Sequence, residues 1–181
     1  MGINPKIKAI FLDRDGVLNK ALIIEGKPYP PKTKEEVEIL DGVPEGLQEL
    51  KKLGFILIVI TNQPDVARGT TSLQFVTEIN NFLKQQLIID DFLCCYHDSV
   101  DNCNCRKPKP GMILSASKTW NIDLSKSFLI GDRWRDIDAG INAGVKTILI
   151  DYGYNEKRSM PNYSCSKFIE AVQFIKSHDQ L

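Results

Sequence analysis

The chain has 181 residues, a length that suits one domain and can bury roughly 70% of the unfolded surface. Lys plus Arg and Asp plus Glu each number 23, a neutral balance that excludes a polybasic nucleic-acid or membrane binder, and 43% hydrophobic residues against 25% charged excludes a disordered chain. The longest apolar run, residues 55–60, is far short of the roughly 20 residues that span a bilayer, and the first apolar stretch runs into Asp13 without a signal-peptide pattern, so a cytoplasmic protein is expected.

Residues 6–12 read as a strand that ends at an acidic loop. Residues 19–42 form the longest irregular stretch, with Pro28, Pro30 and Pro31 close together, and are expected to lie as a flap over the active end. Val43, Leu47, Leu50 and Leu53 have helical spacing, and Gly54 stops that helix. The run 55–60 is a strand buried on both faces. Leu73, Val76, Ile79, Leu83 and Leu87 make the stripe of a helix over 72–88. A short strand at 92–96 leads into a Cys-rich loop, and Pro110 opens a helix over 110–119. A strand at 127–130, a helix at 135–143, a strand at 147–151 and an amphipathic helix from about 166 to 176 complete the pattern. Strand and helix alternate five times, which predicts an α/β fold. The expected form is a Rossmann-like three-layer sandwich with a mostly parallel sheet, a single domain over 1–181 with no inserted cap domain.

In such sheets ligands bind beyond the carboxyl ends of the strands, so the residues after each apolar run are the candidate site. Asp13 and Asp15 stand two apart at the first strand end, which puts both carboxylates on one side of an extended chain. Close carboxylates repel unless a cation lies between them or one takes a proton. Mg²⁺ suits them, because it prefers carboxylate oxygens and keeps several waters. With the ion bound, one carboxylate can attack phosphorus and the other can act as general acid, while Gly16 lets the chain turn beside them. A bare DxDG fits a solvated turn equally well. Thr61 and Asn62 offer a hydroxyl and an amide to phosphate oxygens, Lys107 offers charge to a transferring phosphoryl group, and Asp132 offers a further cation ligand. Alone these are a helix cap, a surface lysine and a turn residue. Together, in order and each at a strand end, they point to catalysis.

Five cysteines is an odd number, and four lie between 94 and 105, which in a cytosolic chain reads as metal binding before disulfides. Cys95-x-His97 and Cys103-x-Cys105, with five residues between the halves, supply the four ligands of a closed, structural Zn²⁺ site. The alternative is a set of reduced thiols beside a surface histidine. The ion is expected to pin the loop 95–105 so that Arg106 and Lys107 face the phosphate. Strand alternation puts Cys94 on the face opposite Cys95 and assigns it to the core. Cys165 lies outside the cluster, and His178 falls in a segment expected to fray.

The segments DRDGVLN (13–19), TNQ (61–63), RKPKPG (106–111) and GDRWRDIDAG (131–140) resemble the four motifs of the haloacid dehalogenase superfamily of phosphotransferases. That resemblance implies that Asp13 is the nucleophile forming an aspartyl-phosphate and Asp15 the general acid and base. It implies that Thr61 and Lys107 hold the phosphoryl group, and that Mg²⁺ lies among Asp13, Asp132 and the Asp15 backbone carbonyl. A zinc loop just before RKP looks like the branch that contains the heptose bisphosphate and histidinol-phosphate phosphatases. DRDGVLN, YPP (29–31), ARG (67–69) and PKPGM (108–112) lean to the heptose side, implying removal of the 7-phosphate from a heptose 1,7-bisphosphate. Asn62, Gln63, Arg106 and Arg133 are then substrate-binding residues, and Arg68 with Arg106 can meet a second phosphate. Arg133 stands where that branch usually has Lys, and Pro64 where Ser is usual. Histidinol phosphate is the alternative substrate, and a non-catalytic phosphoacceptor the alternative class, against which Asp15 counts. The expected partner is a small phosphorylated sugar, with no nucleic acid and no membrane, and the expected state is a monomer.

Overall fold

The computed structural model describes residues 5–179. In chain order the elements are β1 (Ala9–Leu12), β2 (Leu22–Ile24), β3 (Lys27–Tyr29), α1 (Val43–Lys52), β4 (Ile56–Asn62), α2 (Leu73–Gln86) and β5 (Asp91–Cys95). There follow α3 (Gly111–Trp120), β6 (Phe128–Gly131), α4 (Trp134–Ala143), β7 (Lys146–Ile150), β8 (Tyr163–Cys165) and α5 (Phe168–His178). The main sheet has six strands in the order β5-β4-β1-β6-β7-β8, and every pairing in it is parallel.

Side-chain alternation along β1 shows how the layers form. Ile10 and Leu12 face a core shared with Leu47 and Leu50 of α1, Leu83 of α2, and Val172 and Ile175 of α5. Ala9 and Phe11 face the other core, with Met112, Ile113 and Ala116 of α3 and Ala139 and Ala143 of α4. Strands buried on both faces read as continuous apolar runs, which is why 55–60 carries no polar residue. Helix ends obey local chemistry as well. Ser72 caps α2 by accepting from the Phe75 amide at 3.0 Å.

The chain builds outward from β1 to β4 and β5, then crosses back to β6 on the other side of β1. That reversal leaves a crevice beyond the carboxyl ends of the central strands. Asp13 follows β1, Gln63 follows β4 and Asp132 follows β6, so the candidate residues converge there. Backbone bonds lock the strand ends together: Asp13 N donates to Ile130 O at 3.0 Å, and Gln63 N to Cys95 O at 2.7 Å.

Three expectations change. Residues 22–29 are an antiparallel β2–β3 hairpin in the register Leu22↔Tyr29 and Ile24↔Lys27, not irregular chain. Its prolines and partly exposed apolar side chains gave no period-two signal. Strand β8 is three residues long and centred on Ser164, too short for periodicity to register. The C-terminal helix does not fray at His178, whose ring stacks on Phe174 with centroids 4.0 Å apart. No helix among the described residues is long and apolar enough to cross a membrane.

Leu47 is fully buried in the larger core. Leu47→Ala is expected to cost about 2–5 kcal/mol, read as a lower denaturant midpoint with an unchanged slope in chemical unfolding.

Candidate active site

Lys107 is the centre of the site. Its ammonium pairs with Asp13 Oδ1 at 2.9 Å and Asp136 Oδ1 at 2.6 Å, and donates to Ile60 O at 2.8 Å. All three side chains are buried. Asn62 aligns the lysine from β4: its Oδ1 accepts from Lys107 N and its Nδ2 donates to Lys107 O, both at 3.1 Å. Burial opposes the charge on Lys107, but Asp13 and Asp136 outweigh it and raise the ammonium above its ordinary range. Burial, followed by the charge of Asp136, pushes the Asp13 carboxyl up to about 7. Asp13 Oδ1 also accepts from the Arg14 amide at 2.7 Å. Its Oδ2 is therefore the oxygen left to face the cavity.

Asp15 lies on the same cavity but in a different harness. Arg14, with no exposed surface, sends Nη2 to Asp15 Oδ2 at 2.9 Å and Nη1 to Asn80 Oδ1 of α2 at 2.9 Å. Asn19 Nδ2 reaches Asp15 Oδ1 at 3.0 Å and Gln63 Nε2 reaches Oδ2 at 2.9 Å. The chain bends after Asp13 rather than staying extended, yet both residues border the same cavity, each carboxylate paired with a different cation.

Asp13, Asp132 and Asp136 bring carboxylate oxygens within 4.8 Å of one another, all buried. Asp132 Oδ2 accepts from Tyr154 Oη at 3.1 Å, while its Oδ1 is buried with no partner. Asp136 is satisfied by Lys107 and by the Arg133 amide at 3.0 Å. Burial, then Asp13 and Asp136, holds Asp132 well above the usual carboxylate range. An orphaned carboxylate oxygen in an overcharged acidic cluster is what a hard cation would satisfy, so the residues fit Mg²⁺. The Asp15 carboxylate is not in this cluster; Asp136 is.

The cavity in front of these groups has a volume of about 480 Å³. Thr61, Asn62 and Lys107 line its floor, and Lys27, Pro28, Tyr29 and Pro30 of the β2–β3 hairpin also border it. Arg106 and Arg133 stand on its wall. Arg133 is engaged, with Nε at 3.0 Å and Nη2 at 2.6 Å from Glu156 Oε2. Arg68 also borders the cavity, but its fork goes to Asp98 at 2.7 and 2.8 Å and to Asp65 at 3.1 Å. Each of these two guanidiniums is thus paired with an acid at the cavity edge. Gln63 does not border the cavity; it is buried, and its Nε2 bridges Asp15 and Thr61 Oγ1, each at 2.9 Å.

Beside Arg106, the Cys95, Cys103 and Cys105 thiols and His97 Nδ1 converge at separations of 3.3–3.7 Å. A tetrahedron around Zn²⁺ with bonds of about 2.0–2.3 Å has edges of about 3.3–3.8 Å, so the four donors fit. All five cysteines are free thiols. Cys94 stands apart from these donors, half-buried rather than in the core as expected, accepting from Asn80 Nδ2 at 3.1 Å.

A family model described as HAD-hydrolase-like matches residues 104–171. A D-glycero-beta-D-manno-heptose-1,7-bisphosphate 7-phosphatase of Helicobacter pylori is 38% identical over 175 residues, covering 93% of this chain and 98% of that protein. The chain belongs to the haloacid-dehalogenase-like hydrolases. The enzyme of the same name from Pasteurella multocida is 35% identical over 93% of this chain and 97% of its own length. Among solved structures, a D,D-heptose 1,7-bisphosphate phosphatase from B. bronchiseptica, complexed with magnesium and phosphate, superposes with a TM-score of 0.78 at 26% identity, over 95% of this chain and 99% of that one.

Within this hydrolase frame, sequence reading missed Asp136, Arg14, Asn80 and Tyr154. Asp136 sits inside GDRWRD, so the motif carried a signal that strand-end reasoning did not use. Arg14 and Asn80 are 66 positions apart, and nothing local marks either.

Gly16 has φ +89°, and a Cβ there would stand 2.1 Å from Asp132 Oδ2. Gly26 has φ +72° but open space around it. Gly16→Ala is therefore expected to lose at least about 1 kcal/mol more than Gly26→Ala, which carries only left-handed strain. Thermal unfolding of the two variants side by side measures the difference.

Proposed function

We propose that this hydrolase is a Mg²⁺-dependent phosphomonoesterase that removes the 7-phosphate of D-glycero-D-manno-heptose 1,7-bisphosphate through a phosphorylated Asp13. The observation that carries the reading is the buried Asp13–Lys107–Asp136 chain of ion pairs at a strand end, with Asp15 held separately across the same cavity. The heptose side is supported by relatives of that name that align over nearly the whole chain.

In this mechanism Asp13 Oδ2 attacks phosphorus, and the bond from phosphorus to the sugar oxygen breaks. Asp15 gives its proton to the departing oxygen. It then takes a proton from water, which attacks the aspartyl-phosphate; phosphate leaves and Asp13 is regenerated. Lys107 holds Asp13 in line and neutralises the phosphoryl oxygens, with the Thr61 hydroxyl beside them. Asn62 keeps Lys107 in place and Gln63 keeps Asp15 and Thr61 in place, while Arg106 faces the rest of the substrate. Asp13, Asp132 and the Asp15 carbonyl would hold Mg²⁺, which supplies Lewis-acid charge to the phosphoryl oxygens when bound. Zn²⁺ at Cys95, His97, Cys103 and Cys105 would fix the loop that carries Arg106 and Lys107. A cytoplasmic setting, where thiols stay reduced, suits that tetrad.

Phosphate release with Mg²⁺ tests the substrate. The heptose bisphosphate is expected to exceed histidinol phosphate in kcat/KM by a wide margin, and the reverse order would move the protein to the other branch. Asp13→Asn is expected to abolish turnover, and Asp15→Asn to reduce kcat roughly 10²-fold or more, as loss of general acid–base help does. Near-normal turnover with Asn at position 13 would sink the covalent route. Cys103→Ser is expected to lower bound zinc, measured by elemental analysis. It should also lower Tm by at least about 2–4 °C, the shift that 1 kcal/mol makes in a chain of this size.

A further inference from the structure

The segment 152–159 after β7 is tied to the start of α4, beside the acidic cluster. Glu156 takes Arg133 Nη2 at 2.6 Å and the Trp134 amide at 3.3 Å, and Asp138 takes Lys157 Nζ at 2.9 Å and the Ser159 hydroxyl at 2.6 Å. The tied segment carries two stacked tyrosines, Tyr152 and Tyr154, with ring centroids 5.6 Å apart. Tyr152 donates to Gly16 O, in the turn after β1, and Tyr154 to Asp132 Oδ2, after β6, each at 3.1 Å. The pair thus joins the two strand ends that supply the acids, and the mechanism above uses neither hydroxyl.

Asp132 is buried, and its two oxygens differ. Oδ2 accepts from Tyr154 and packs so closely on Gly16 that a Cβ there would collide with it. Oδ1 has no partner among the described residues. Tyrosine and glycine therefore close one oxygen and leave the other for a cation. That division bears on which cation fits. Mg²⁺ is small, demands near-ideal octahedral geometry and keeps several waters, whereas Ca²⁺ takes more oxygens in a looser shell and accepts both oxygens of one carboxylate. A carboxylate with one oxygen already engaged offers a cation only the other. Hydrogen-bond partners behind a metal ligand fix its orientation and govern affinity.

We propose that Tyr154 is a positioning residue for the cation: by holding Asp132 Oδ2 it makes Asp132 a one-oxygen ligand, and it thereby favours Mg²⁺ over Ca²⁺. The inference rests on the Mg²⁺ reading of the acidic cluster above and goes beyond it by assigning the choice of cation to a residue outside the four motifs.

The test is calorimetric titration of Mg²⁺, and separately of Ca²⁺, into the full chain in buffer free of both ions and of chelators, so that affinity is read without turnover. Wild-type protein should prefer Mg²⁺. Tyr154→Phe, which removes one hydroxyl and keeps the ring, should weaken Mg²⁺ binding about tenfold or more, as loss of a partner behind a metal ligand does. Ca²⁺ binding should hold or tighten, because Asp132 can then offer both oxygens, so the preference for Mg²⁺ should fall about tenfold or more. Tyr152→Phe, which leaves the Tyr154 hydroxyl in place, should change the preference less. Wild-type protein that binds no Mg²⁺ would overturn the cation reading of the cluster and this inference with it. Wild-type protein that binds Mg²⁺ but shows no preference over Ca²⁺, or a preference that survives Tyr154→Phe, would overturn this inference alone. Equal losses for the two ions would do the same, since they would mean that Tyr154 only supports the fold of the site. Circular dichroism melts establish that each variant is folded. Should Tyr154→Phe not fold, Tyr154→Met decides, with an undiminished preference counting against the proposal.

Discussion

A single ammonium group organises this molecule. Lys107 is buried where two carboxylates, Asp13 and Asp136, need its charge, and where the Ile60 carbonyl needs a donor. Two strands and a helix meet at that point: Asp13 follows β1, Ile60 belongs to β4, and Asp136 lies in the first turn of α4 after β6. Removing one partner of such a buried group strands the others. The candidate catalytic centre and the closure of the sheet's carboxyl end are therefore the same set of contacts. The same logic explains the Asn62 clamp on the Lys107 backbone. A residue that carries this much charge must arrive at one position, and the double amide bond sets it.

The fold was legible because parallel strands buried on both faces leave apolar runs, and helices between them leave stripes. Residues 55–60 and the series Leu73, Val76, Ile79, Leu83 are examples. The site was legible for a related reason. A polar residue directly after a buried run must sit at a strand end, so Asp13, Thr61 and Asp132 could be placed without knowing the sheet order. What local sequence did not show was whatever depends on a distant partner. The acids that pair with Arg133 and Arg68, Glu156 and Asp98, lie 23 and 30 positions away. Nothing local marks Arg14 as buried, yet it has no exposed surface because Asn80 and Asp15 satisfy its fork. The β2–β3 hairpin was hidden for a different reason: it has no core face of its own, so its sequence had no alternation to show.

The cavity is bordered by elements of unequal anchoring. The floor comes from strand ends fixed on both sides by parallel partners. The walls come from the hairpin, the loop after β4 and the cysteine loop. The cysteine tetrad matters in that light, because it gives one wall a fixed point close to the floor. Arg106 follows Cys105 directly, so the geometry of four converging donor atoms passes to a cation one residue later. The tyrosines after β7 serve the opposite side. Tyr154 reaches Asp132, and Tyr152 reaches the Gly16 carbonyl at 3.1 Å.

The Gln63 side chain has a consequence of its own. A carboxylate oxygen can only accept, so the contact with Asp15 fixes which end of the Gln63 amide is the NH₂. That NH₂ also donates to Thr61 Oγ1. The threonine oxygen has thus received its hydrogen bond from behind, and its own hydrogen must point somewhere else. The open direction is the cavity, which Thr61 lines. One amide therefore sets a polarity: hydrogen-bond direction runs from Gln63 through Thr61 toward whatever occupies the cavity. A phosphoryl oxygen, which can only accept, meets a hydroxyl already oriented to give.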